Sequence, residues 1–206
     1  MTTKRSHTTA PENPADWHRR ICRVRGTNVI VTGDLEIDRV RALRRLREWI
    51  AAGVTHIVDV RGEASDAEFV AEHAPWITYV WAGTHDAGGN QSAAWFTSVL
   101  RTLGDAVYAP DAVILVHCHM GVNRGPSMAH RILLEQGWDA VDALAAIREA
   151  RPIANVEYVT DSVRHFHGRT SDSFTPLRAD LERVRAWRAE RPLDLSWIIS
   201  RIRRAA

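Results

Sequence analysis

The stretch from Ala112 to Gln136 constrains this chain more than any other. Ala112-Val113-Ile114-Leu115-Val116 is an apolar run that reads as a buried strand. It leads directly into His117-Cys118-His119-Met120-Gly121-Val122-Asn123-Arg124, and a helix-compatible segment from Gly125 to Gln136 follows. A cysteine therefore stands where a strand ends, with an arginine six positions on, where a helix begins. Backbone N–H groups of a tight loop at a helix N-terminus favour negative charge. They favour the thiolate of Cys118, which is the nucleophilic form. The same donors can take the non-bridging oxygens of a phosphate, and Arg124 adds a planar fork for two of them. Gly121 permits a backbone angle that a side chain resists. Pro126 falls in the first helical turn, where its missing N–H costs little.

Cys-x5-Arg alone is a weak signal in an arginine-rich chain, and a structural cysteine in a loop that contains Arg is the plain alternative. The full string His-Cys-x2-Gly-x2-Arg between an apolar strand and a helix is specific. At these residues the chain resembles the cysteine-dependent protein tyrosine phosphatases, most closely their dual-specificity branch. Asn28 to Asp34 (NVIVTGD) resembles that family's first strand and glycine turn, and Gly53 to Asp59 (GVTHIVD) its next strand. Gly125-Pro126-Ser127 stands where the family often has Ser-Pro-Thr. Arg151-Pro152-Ile153-Ala154-Asn155 resembles the segment after the penultimate core helix. The resemblance covers residues 26–167 and implies an α/β fold, with a central mostly parallel sheet flanked by helices, followed here by a C-terminal helical extension.

The family takes its general acid from an Asp on a mobile loop about thirty residues before the cysteine. Asp86 lies 32 residues before Cys118, after a segment from Trp76 to Trp81 that reads as a strand. Gly83, Gly88 and Gly89 can let this loop close. An ordinary polar turn is the alternative, and His85 is a fallback acid. The implied cycle has Cys118 attack phosphorus while Asp86 protonates the leaving oxygen, and water then hydrolyses the phosphocysteine. Arg124 and the loop amides hold the charge on the equatorial oxygens throughout. No cofactor and no metal is called for. One departure stands out: Gly125 replaces the Ser or Thr whose hydroxyl assists the second step in the family. Ser127 is no obvious substitute, so slow turnover of the intermediate is expected.

The remaining loop residues carry smaller expectations. The resemblance implies that His117 hydrogen-bonds the loop. His119, Met120, Gly121, Val122 and Asn123 are assigned to substrate binding, with His119 and Met120 at the rim. Gly125 and Ser127 support the loop with His117. Asp59 and Arg61 read as a structural ion pair, and Asn155 as the cap of the last core helix.

The chain of 206 residues, with 27 Lys and Arg against 25 Asp and Glu, is long enough for one domain with appendages. Residues 1–25 hold six basic and two acidic residues and read as a flexible basic arm. Residues 26–167 form the catalytic domain, and 168–206 a linker and helices that pack on the core or on a partner. The two cysteines allow no disulfide framework. Cys22 could shield Cys118 by a reversible disulfide, though burial is its default. No apolar run reaches membrane-spanning length and no secretory signal is evident, so a cytoplasmic location is expected. Helices are expected at 36–52, with Ile37, Val40, Leu43, Leu46 and Ile50 inward, and at 155–167, among others.

These features favour a phosphatase acting on phosphotyrosine, with phosphoserine and phosphothreonine also open, in a phosphoprotein or phosphopeptide. An RNA 5′-phosphatase is suggested by Asn123 before Arg124 and by the basic ends, but nucleic acid is not the favoured partner. Gly125 keeps open a weakly active phosphoprotein-binding pseudophosphatase. A phosphoinositide phosphatase is disfavoured because the loop holds no Lys. A sulfurtransferase, prompted by Asp59-Val60-Arg61, is disfavoured because such enzymes usually space Cys and Arg one residue closer. Oligomeric state is not legible.

Overall fold

A computed structural model describes residues 13–170 and 174–205. Five strands form one sheet: β1 (Cys22–Arg23), β2 (Val29–Thr32), β3 (His56–Arg61), β4 (Thr78–Thr84) and β5 (Ile114–His117). Their order is β1-β2-β5-β3-β4, and β1 alone runs antiparallel to its neighbour. The loops after β2, β3, β4 and β5 therefore emerge at one edge of the sheet, with the loop after β5 in the middle. Open α/β sheets place their ligand crevices at such an edge.

Alternate residues of the central strands feed two cores. Val29, Val31, Val58, Val60, Ile114 and Val116 face one way, into α4 (Ala93–Leu103), α5 (Arg124–Glu135), α6 (Ala140–Ala150) and α7 (Val159–Thr170). Ile30, Ile57 and Leu115 face the other way, into α2 (Arg39–Ala51) and α3 (Ala67–His73). Burial on both faces explains why these strands read as continuous apolar runs. The fold is thus the expected α/β sandwich around a mostly parallel sheet. No helix among the described residues is long and apolar enough to cross a membrane.

The start of the chain departs in part from the reading of a flexible arm. Residues 1–12 of the expected arm lie outside the described residues. Residues 13–25 are folded: Asn13 caps the short helix α1 (Pro14–Trp17), β1 follows, and His18 and Cys22 are buried. After residues 171–173, which also lie outside the description, α8 (Phe174–Glu190) lays Val184 into the larger core beside α6 and α7. The final helix, α9 (Leu195–Ala205), is capped by Asp194, which accepts from Trp197 N at 2.9 Å. It buries Ile198 and Ile202 against Val122 and Ile153, with Trp17 and Met120 alongside. Both apolar stripes of the extension are therefore spent on the core.

Two helix starts depart from the sequence pattern. The helix expected from residue 36 begins at Arg39, because the Asp38 side chain accepts from Arg41 N at 2.9 Å and ends the helix there. Ile37 and Val40 are consequently exposed, and Ala42, Leu46 and Trp49 form the inward face. The helix expected from 155 begins only at Val159. Val156 takes a left-handed φ of 53°, which is rare for a β-branched residue and incompatible with a helix running through it.

Burial of His130 favours its neutral form. His130 is fully buried, with Nε2 against the Ala140 carbonyl at 2.9 Å and Nδ1 against Ser162 Oγ at 2.8 Å. Burial, opposed in part by that carbonyl, moves its pKa from 6.5 to about 4. Protonation therefore favours the unfolded chain. Stability from this group is complete above 6.5 and is lost as pH falls toward 4, at about 1.4 kcal/mol per pH unit. Denaturant unfolding of wild type and His130→Gln near neutrality and again below pH 5 measures this. The variant is expected to show the shallower acid loss.

Candidate active site

Cys118 follows β5 directly, Arg124 opens α5, and residues 119–123 form the loop between them. Gly121 adopts a φ of 62°, which gives the loop its turn. Every carbonyl of the loop is held from outside. That of His119 accepts from Asp34 N at 3.1 Å and from His18 Nε2 at 3.0 Å. Those of Met120 and Gly121 accept from Arg151, at 2.9 and 2.6 Å. That of Val122 accepts from Asn155 N at 2.8 Å and Val156 N at 3.3 Å. That of Asn123 accepts from Ser127 N at 3.0 Å and Ser127 Oγ at 2.8 Å. The C=O and N–H of a trans peptide point in opposite directions. With the oxygens of 119–123 held outside, the N–H groups of 120–124 are turned to the inner side, and among the described residues none of those of 120–123 has a backbone acceptor. Such a concavity of amides binds anions.

Arg124 is buried and oriented. Glu63, on the loop after β3, takes its end-on fork: Nη1 donates to Oε2 at 2.6 Å and Nη2 to Oε1 at 2.7 Å. Thr84 O takes the second Nη1 hydrogen at 2.8 Å. Nε has no hydrogen-bond partner and lies 3.8 Å from Asp86 Oδ2. The side fork, Nε–H with the remaining Nη2 hydrogen, is thus open for two oxygens of one tetrahedral anion. Burial opposes charge on Arg124, but the Glu63 carboxylate more than offsets it and raises the pKa above its ordinary value. The same hydrogen bonds hold Glu63 below the usual carboxylate range.

Asp86, on the loop after β4, comes to the other side of Arg124. Tyr158 Oη donates to its Oδ1 at 2.9 Å, and Asn123 Nδ2 lies 3.2 Å from its Oδ2. Burial and the neighbouring Asp86 both raise the Tyr158 pKa, so the phenol keeps the proton it donates. Asn123 is braced in turn by Asn155 Nδ2, at 3.2 Å from its Oδ1. Asn155 therefore does not cap a helix; it positions Asn123, and Arg188 of the extension donates to its Oδ1 at 3.2 Å.

The other assigned residues divide by side-chain direction. His119 is half exposed at the rim, its Nδ1 2.6 Å from Asp34 Oδ2. Burial raises the Asp34 carboxyl, but His119, His18 and Arg19 overcome this and hold it well below the carboxylate range. Met120 and Val122 pack their side chains under α9, so they offer the site only backbone, in contrast to the rim position expected of Met120. His117 also departs from expectation. It is fully buried, neither ring nitrogen has a hydrogen-bond partner, and Asp59 Oδ1 lies 3.8 Å from Nε2. Burial lowers its pKa and so favours the neutral imidazole. It packs by its ring, 5.4 Å from that of Trp49. Asp59 and Arg61 form the expected ion pair, with Arg61 Nη2 donating to Oδ2 at 2.7 Å.

At Gly125 a Cβ would stand 3.2 Å from Cys118 N and 3.3 Å from His117 C, a tight approach that the ends of β5 and α5 would meet by a shift of a few tenths of an ångström. Ser127 Oγ is engaged by Asn123 O and by Tyr158 N at 3.0 Å, and cannot serve the cysteine as well. Nor can Cys22 reach Cys118. Cys22 is level with Val31 and Val31 with Val116, two strand spacings of about 4.8 Å each. A disulfide needs Cα atoms within about 7 Å. Among the described residues two acid–imidazole clusters have metal-ligand composition: His18 with Asp34 and His119, and Asp59 with Asp66 and His117. Arg19 pairs with Asp34 in the first and Arg61 bridges both carboxylates of the second, so each already holds a cation of its own.

Glu63, Tyr158, Arg151, Asp34 and His18 were not singled out as site residues by sequence reasoning. Glu63 had one available signal, its position just past the carboxyl end of a parallel strand.

No family model and no curated protein matches the sequence. Solved structures match by fold. Human DUSP28 superposes with a TM-score of 0.58 at 19% identity, over 73% of this chain and 95% of that one. Tk-PTP in the active form gives 0.55 at 18%, over 72% and 97%. PTPMT1 in complex with PI(5)P gives 0.55 at 18%, over 76% and 100%. About a quarter of this chain has no counterpart in these neighbours. The described residues thus carry the fold of the cysteine-dependent protein tyrosine and dual-specificity phosphatases.

Proposed function

We propose that the protein is a phosphatase that hydrolyses phosphate monoesters through a phosphocysteine, with phosphotyrosine in a protein or peptide as the favoured substrate. One observation carries this reading: a ring of amides without backbone acceptors, the open side fork of Arg124 and the carboxylate of Asp86 converge on the loop that begins at Cys118. In the first step the Cys118 thiolate forms a bond to phosphorus as the P–O bond breaks, and the proton of Asp86 goes to the leaving oxygen. In the second, water attacks phosphorus and gives its proton to Asp86, the S–P bond breaks, and orthophosphate leaves. The amides and Arg124 hold the equatorial oxygens through both steps.

Asp86 is attached to this machinery through Tyr158, Asn123 and the Arg124 fork, which supports an acid-assisted monoesterase over an RNA 5′-triphosphatase that does not rely on the loop Asp. Assays on an aryl phosphate, a phosphotyrosine peptide and a 5′-triphosphate RNA test it. Cys118→Ser is expected to abolish turnover. Asp86→Asn is expected to lower kcat on the aryl phosphate by about 10²–10⁴-fold. Retained aryl phosphatase activity in Asp86→Asn would refute the assignment of the acid.

Two further outcomes follow from the loop. Neither residue 125 nor Ser127 offers a free hydroxyl, so phosphocysteine hydrolysis is expected to be the slow step. Rapid mixing with an aryl phosphate should then give a burst near one equivalent of phenol per site. Glu63→Gln removes the anion that orients Arg124 and should lower kcat/KM by about ten- to a hundredfold. An unchanged kcat/KM would mean that Arg124 is held without it.

A further inference from the structure

Among the described residues four arginines are buried. Three of them hold carboxylates: Arg61 pairs with Asp59 and Asp66, Arg124 with Glu63, and Arg131 with Glu135. Arg151 is the exception. It is fully buried, and among the described residues no carboxylate lies within ion-pair distance of it. Burial pushes its pKa down from the ordinary value, and the nearby sulfurs of Cys22 and Cys118 act in the opposite sense. A guanidinium remains charged even so. The fold therefore keeps a cation under the loop with no carboxylate to balance it, a costly arrangement unless something gains from it.

All five of its N–H donors are used. Nε donates to Gly121 O at 2.6 Å, and Nη2 to Met120 O at 2.9 Å and His18 O at 2.8 Å. Nη1 donates to Arg20 O at 3.2 Å and Cys22 Sγ at 3.4 Å. Two bonds reach the loop and three reach residues 18–22, in and just before β1. The two loop bonds hold the peptide oxygens that precede the N–H groups of Gly121 and Val122. A trans peptide held by its oxygen presents its hydrogen on the opposite side. The guanidinium also occupies the space where a Cβ on Gly121 would lie, so loop and cation are fitted to each other.

We propose that Arg151 is a positioning residue for anion binding: it turns the Gly121 and Val122 amides toward the substrate's phosphoryl group, and the bound phosphate dianion adds the counter-charge that no carboxylate provides. The proposal rests on the phosphatase reading for its substrate class but is testable by binding alone. Its ligand is an orthophosphate-like dianion, bound on the face of the loop opposite the guanidinium. A purely structural staple would hold residues 18–22 to the core without affecting the loop amides.

Orthophosphate binding to the full chain, measured by calorimetry beside thermal unfolding, separates the two roles. Arg151→Lys keeps the charge but offers at most three donors. It is expected to remain folded and to weaken orthophosphate binding by about tenfold or more. Cys22→Ala removes an acceptor from the three-bond side only. It is expected to lower Tm while leaving orthophosphate affinity within about twofold of wild type. Wild-type affinity in a folded Arg151→Lys, or equal loss of affinity in Cys22→Ala, overturns the proposal. A measurement on nitrogen-labelled wild type covers the case in which Arg151→Lys does not fold. Orthophosphate should move the amide proton resonances of Gly121 and Val122 downfield, and unmoved resonances overturn the proposal. The outcomes also separate this inference from the phosphatase reading. Arg151-dependent binding without hydrolysis by wild type sinks the enzyme and keeps the positioning role. Hydrolysis with unaltered binding in Arg151→Lys does the reverse.

Discussion

Everything at this site depends on which way five peptide planes face. The loop from His119 to Asn123 is short and carries one positive φ, and left alone its peptides could rotate to place oxygens inside and repel any anion. The fold prevents this by surrounding the loop with donors. They come from the segment before β1, the turn after β2, the segment after α6 and the first turn of α5. Electrostatic preorganisation of this kind is effective because the dipoles are fixed before any substrate arrives.

The same logic explains why parts of the chain outside the α/β sandwich touch the loop. Val122 and Met120 point backward, and α9 covers them with Ile198 and Ile202. Arg188 from α8 holds Asn155, which braces Asn123, which in turn contacts Asp86. The C-terminal helices thus lie within two or three contacts of Asp86 and Arg124. Val156 shows that the arrangement is bought with strain: its left-handed backbone presents an N–H to the Val122 carbonyl.

The sequence made legible what is local. A strand, a cysteine and a helix in immediate succession carry their own geometry, so the Cys118–Arg124 loop and the alternating architecture could be read directly. Spacing and a preceding strand pointed to Asp86, and the fold brings its carboxylate beside Arg124 and Asn123. What escaped reading is the set of partners brought by tertiary packing. Glu63 and Tyr158 lie 61 and 34 positions from Arg124, and nothing in their immediate surroundings marks them. Ile37 and Val40 misled because helical periodicity was carried past Asp38, whose capping carboxylate was itself a readable stop. His117 was assigned a hydrogen bond by resemblance, whereas its pocket offers it an aromatic ring and no partner.

The separation of the two cysteines has a consequence for oxidative chemistry. Neither is in a disulfide, and two strand spacings keep Cys22 from Cys118. A sulfenic acid formed on Cys118 therefore finds no resolving thiol within its own chain in this conformation. Rescue before the irreversible sulfinic stage falls to a thiol from outside, such as glutathione, or to a neighbouring backbone nitrogen. Access of a small reductant to the mouth of the loop then sets how long such a lesion lasts.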